Sequence, residues 1–155
     1  PSPPVDARIA ALVEQLRDAT PAGTAAVFGP TLEPATARWL AVGPGELLVS
    51  GAVVPAALAM ALERPDAAVL AIDRGVSAVA ADDCDVAVAH RARVIVVALD
   101  TTAADVTPAR ARGVPVVETA SAAALAVAMT AALDRSGPTV IAVPPPAAGP
   151  STAAV

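Results

Sequence analysis

The chain has 155 residues, 55% of them apolar, with a formal net charge of −5 and a single cysteine. That length suffices for one domain with a substantial core. The acidic balance without any arginine run argues against nucleic acid, whose phosphate backbone needs clustered cations, and a lone Cys84 excludes an internal disulfide.

All ten basic residues are Arg, and the apolar content is mostly Ala and Val with one Trp and one Phe, so close packing of helices on a Val/Ile/Leu sheet is expected. The uncharged spans between Glu46 and Glu63 and between Glu118 and Asp134 fall short of the roughly 18–20 apolar residues that cross a bilayer. No charged-then-apolar leader opens the chain. A cytoplasmic protein without a membrane partner is the expectation.

Val5, Ile9, Leu12, Val13 and Leu16 recur at helical spacing, with Asp6, Arg8, Glu14 and Arg17 between them, and predict an amphipathic first helix. Ala25–Phe28, closed by Gly29-Pro30, reads as a buried strand and turn. A helix is expected over 34–42, a strand over 46–50 and a helix over 53–63. The apolar runs 67–72 and 94–99 read as parallel strands covered on both faces, joined by a crossover helix over 82–92. A short helix (103–112), a strand (114–117), a helix (122–133) and a strand (139–143) complete the alternation. It predicts a three-layer α/β/α domain over 1–145 with a mostly parallel sheet and right-handed crossovers. Residues 146–155, rich in Pro and Ala, read as a disordered tail.

Three segments in this order carry a resemblance. Val54 to Gly75 combines an Ala-rich helix that begins Pro55-Ala56-Ala57-Leu58-Ala59, a turn through Arg64-Pro65-Asp66 and a buried strand. Gly113-Val114-Pro115-Val116-Val117-Glu118 precedes the last helix, and Ser136-Gly137-Pro138-Thr139-Val140-Ile141-Ala142-Val143-Pro144 closes the domain. Together they resemble the diphosphate-binding (PP) domain of thiamine-diphosphate-dependent 2-oxo acid decarboxylases and acetolactate synthases, over most of positions 4–145. The closing segment also resembles the end of the related pyrimidine-binding (PYR) domain.

The resemblance implies a thiamine-diphosphate-binding-domain-like fold, thiamine diphosphate and Mg²⁺ as cofactors, and a PYR-type partner subunit or a homodimer. In the family the strand after the Ala-rich helix runs into a Gly-Asp-Gly metal-binding turn. Here the turn is Arg74-Gly75-Val76, so Gly75 stands where the aspartate would be. The family's Asn-Asn pair falls on Asp100-Thr101, and the third ligand position on Ala103. The Gly-rich turn is shortened to Ser50–Val54, and the stretch that closes over the cofactor is cut to Thr101–Arg112. The implied cofactor positions are therefore Gly51, Gly75, Ser77 and Thr101, largely degenerate, and these losses together point to a cofactor site no longer retained. No catalytic residue is assigned.

One reading keeps a metal. Asp73 and Asp100 both end apolar strands and should emerge at the carboxyl edge of the sheet, where open α/β folds bind ligands. A one-residue register shift would make Asp73 the metal aspartate, and the two carboxylates could share Mg²⁺ with waters. The alternative is that both cap the helices that follow. Asp82, Asp83 and Asp85 around Cys84 read as the acidic first turn of a helix, Cys84 as a buried small apolar residue, His90 as a surface or interface residue and Trp39 as core or interface.

Three functions follow. The first is a PP-type subunit of a split enzyme that decarboxylates or ligates 2-oxo acids, completed by a PYR-type chain. The second is an assembly or regulatory protein that keeps the fold for its interfaces. The third is an unrelated small-molecule-binding α/β domain, disfavoured because neither G-x-G-x-x-G nor G-x-x-x-x-G-K-[ST] occurs.

Overall fold

The computed structural model describes residues 7–32, 34–36, 39, 47–75 and 80–146. Six strands, β1 (Ala25–Phe28), β2 (Leu47–Val49), β3 (Val69–Arg74), β4 (Val94–Leu99), β5 (Val116–Glu118) and β6 (Thr139–Val143), form one sheet in the order β2-β1-β3-β4-β6-β5. Every pair is parallel, with Phe28 opposite Ile72, Ile72 opposite Val97 and Val97 opposite Ile141 across the centre.

Among the described residues the helices with defined bounds are α1 (Ala7–Ala19), α2 (Val53–Glu63), α3 (Ala81–His90), α4 (Thr107–Ala111) and α5 (Ala122–Leu133). The buried residues of α2, α3 and α4 pack on one face, and those of α1, α5 and the helical residues Ala35 and Trp39 on the other. Crossovers that step along the sheet from β2 toward β5 use the first face, while those that step back, β1 to β2 and β5 to β6, use the second. All therefore share one hand, as parallel connections require.

The two faces differ in side-chain size. On the α2/α3/α4 face the contacts are made by Val27, Ala57, Ala61, Ala71, Cys84, Ala87, Val96 and Ala98. The largest fully buried side chains, among them Trp39, Phe28, Leu70, Ile95, Leu99, Met129 and Ile141, all lie on the α1/α5 face. The reason is the alternation within each strand: Val69-Leu70-Ala71-Ile72 sends its smaller residues one way and its larger ones the other. Small residues bring α2 close to β1 and β3. Phe28 and Trp39 meet edge to face at 5.4 Å and 74°, and the Arg17 guanidinium lies 5.4 Å from the Trp39 ring.

Several boundaries differ from the sequence expectation. The third strand runs on to Arg74 rather than ending at Ile72, because β4 continues beside it and pairs Asp73 with Ala98 and Arg74 with Leu99. The crossover helix ends at His90, where Arg91 turns left-handed at φ 50°. The helix expected over 103–112 shrinks to Thr107–Ala111, since Asp105 folds back to accept the Thr102 N–H and hydroxyl, each at 2.8 Å. The strand expected over 114–117 is shifted to Val116–Glu118. Of the helix expected over 34–42, residues 34–36 and 39 are helical, and the remainder, like the tail over 147–155, lies outside the described residues.

Candidate functional site

The parallel arrangement puts the carboxyl ends of β1, β2, β3 and β4 along one edge, which gathers Gly29, Ser50–Ala52, Asp73–Gly75 and Asp100–Thr101. Strand order reverses between β1 and β3, the place where open α/β sheets leave a ligand crevice. Gly29 and Asp73 lie there. The Gly29 N–H donates to Ile72 O at 3.0 Å, and a Cβ on Gly29 would overlap the Asp73 carboxylate. Asp73 in turn accepts the Arg74 N–H at 2.8 Å. Burial pushes the Asp73 carboxyl up, and that hydrogen bond only partly offsets it.

Asp100 has different company. Arg8, from the first turn of α1, donates through Nη1 to Asp100 Oδ1 at 2.8 Å. Arg74 donates to Asp100 Oδ2 through Nε at 3.0 Å and Nη2 at 2.6 Å. Burial alone would raise the Asp100 carboxyl, but the hydrogen bonds and charges of the two guanidinium groups outweigh it and hold the group below the ordinary carboxylate value. A left-handed backbone at Asp100, φ 53°, turns the chain out of β4 so that the carboxylate meets Arg8 of α1.

The two aspartates are thus differently engaged. By strand alternation Asp73 belongs to the α2/α3/α4 face, with Val69 and Ala71, whereas Asp100 is bonded to a side chain of α1 on the other face. Neither caps the helix that follows, as the alternative reading required: the N-cap positions of α3 and α4 are Ala80 and Val106. Among the described residues no group of three or more His, Cys, Asp or Glu side chains is placed to hold a metal ion.

The remaining expected positions are dispersed. Gly75 follows β3 with φ 83° and donates its N–H to Leu99 O at 3.0 Å, a backbone geometry that suits glycine. Gly51 lies in an exposed bend ahead of α2, beside the bond from the Ala52 N–H to Ser50 Oγ at 3.1 Å. The Thr101 hydroxyl is buried and donates inward to Leu99 O at 3.0 Å, and Ala103 is exposed. Ser77 lies outside the described residues. Asp82 and Asp83 sit in the first turn of α3, Cys84 and Trp39 are buried and His90 is exposed, as expected, whereas Asp85 lies beyond that turn and pairs with Arg112. Sequence reasoning missed Arg8 and Arg74. Their signal was an arginine directly after an apolar strand and another on the first turn of a helix otherwise read as amphipathic.

No family model and no curated protein matches the chain. Solved structures do. One is a protein from Mycobacterium smegmatis described as a thiamin diphosphate-dependent enzyme, with a TM-score of 0.74 and 23% identity over 88% of this chain and 31% of that one. Benzoylformate decarboxylase from Polynucleobacter necessarius matches with a TM-score of 0.75 and 19% identity over 87% of this chain and 32% of its own. The thiamine diphosphate-dependent 4-hydroxybenzoylformate decarboxylase of Rhodococcus jostii RHA1 gives 0.71 and 18% over 87% and 32%. The chain spans about a third of the length of each. The six-stranded parallel α/β/α architecture is the fold it shares with a domain of these thiamine-diphosphate-dependent enzymes.

Proposed function

We propose that the chain is a PP-type domain of a thiamine-diphosphate-dependent enzyme that decarboxylates or ligates 2-oxo acids, that it works against a PYR-type domain supplied from outside these residues, and that its own metal and diphosphate site is degenerate. The observation that carries the reading is the Arg8–Asp100–Arg74 bridge. A divalent cation on Asp100 would have to displace guanidinium donors from both carboxylate oxygens and would find Gly75 where the family has its metal-binding aspartate. The residues present do not fit Mg²⁺. The nearby Asp73 carboxylate adds a further obstacle, since a diphosphate brought to the switch-point crevice without a metal would meet a like charge.

What such a domain still offers is its fold and its surfaces. The second reading, an assembly or regulatory domain derived from this fold, is favoured by the same bridge, because arginines that tie α1, β3 and β4 together serve rigidity as well as they block a metal.

Isothermal titration of thiamine diphosphate with Mg²⁺ tests the proposal, on the protein alone and mixed with a PYR-type protein encoded beside it. The expected result is a stable complex in the mixture and no Mg²⁺-dependent heat from this chain alone. Mg²⁺-dependent binding to the chain alone that disappears in Asp100→Ala would overturn the degenerate-site reading. Turnover of a 2-oxo acid by the mixture separates the catalytic reading from the assembly reading.

A further inference from the structure

We draw no further inference here: the strongest candidate, the apolar groove between the edge strand β5 and the outer side of α5, lined by Val117, Ala123, Ala124, Val127 and Ala131, carries nothing because nothing in the structure shows what covers it.

Discussion

Gly29 and Asp73 share one space at the point where the strand order reverses: the missing side chain of Gly29 is filled by the carboxylate of Asp73. The backbone of Gly29 does not need glycine for its own torsion angle, since the left-handed glycines are Gly23, Gly75, Gly113 and Gly137. Glycine is required there by its neighbour. Gly29→Ala should therefore push Asp73 off the Arg74 N–H and destabilise the protein by about 1–3 kcal/mol, the range of overpacking. Asp73→Ala should relieve the clash, so that the double variant costs less than the sum of the two single ones. Thermal melts of the four proteins measure this, and strict additivity would show that the two positions do not compete.

The two edge aspartates should respond to pH in opposite senses. The folded-state pKa of Asp100 lies below its ordinary value of 3.8. Its contribution to stability is therefore complete above that value and is lost as pH falls through the lower folded-state value. Asp100→Asn keeps a residue that tolerates the left-handed backbone but removes the charge, and should cost about 1–2 kcal/mol at neutral pH, with the partial exposure of Arg74 keeping it below the range of buried pairs. The difference from the parent should close in strong acid.

Asp73 has the reverse sign, because its pKa is raised. Its stabilising contribution is present below the ordinary value and disappears as pH rises through the folded-state value. Asp73→Asn should accordingly gain on the parent between acid and neutral pH. Urea unfolding across that window reads both effects, and parallel pH profiles for the two variants would contradict these assignments.

The largest packing loss should come from the α1/α5 face. Phe28 is fully buried on β1 and meets Trp39 edge to face, and Trp39 is the chain's single tryptophan. Phe28→Ala should cost about 3–5 kcal/mol, typical of a deleted buried aromatic, and should shift the Trp39 emission as its neighbour is replaced by a void. An Ala substitution at Cys84, a small residue on the other face, should cost much less. Denaturant unfolding followed by tryptophan fluorescence makes both comparisons.

Most of the fold was legible because the strands announce themselves. Ala25–Phe28, Val94–Leu99 and Thr139–Val143 are short apolar runs bounded by turn residues, and 53–63 and 122–133 are apolar stretches too long for strands. Each expected range was met. The boundaries that moved depend on tertiary partners: Asp73 and Arg74 join β3 only because β4 extends beside them, and the start of α4 is set by a local Asp105–Thr102 bond. The site was less legible for a similar reason. Position 100 could be recognised as a strand-end carboxylate, but its partners are Arg8 and Arg74, 92 and 26 residues away in sequence. Spacing along a chain carries no signal for contacts formed only when α1 settles over the carboxyl end of β4. The division of large and small side chains between the faces was present in the alternation of 69–72, but a continuously apolar strand hides that alternation from a reading based on polarity alone.

Arg93 should matter to stability far from the candidate site. It sits just before β4 at the amino end of the sheet, where Nη1 donates to Asp66 O at 2.9 Å and Nη2 to Leu133 O at 2.7 Å. Leu133 is the last residue of α5, so the guanidinium caps a helix C-terminus whose carbonyls lack partners and whose dipole favours a cation. Asp66 belongs to the turn that leads into β3, and the same side chain therefore ties the end of α5 to the entry of a central strand. Arg93→Met keeps most of the aliphatic stem while removing both bonds and the charge, and should lower stability by about 1–3 kcal/mol, the scale of charge-assisted hydrogen bonds to backbone. Arg93→Lys should recover only part of that loss, because a single ammonium is not the planar fork that serves two carbonyls at once. Hydrogen exchange should localise the effect in the Arg93→Met protein, with faster exchange in the last turn of α5 and unchanged exchange in α1. Uniform acceleration across both helices would mean that Arg93 acts on global stability without a specific role at the α5 terminus.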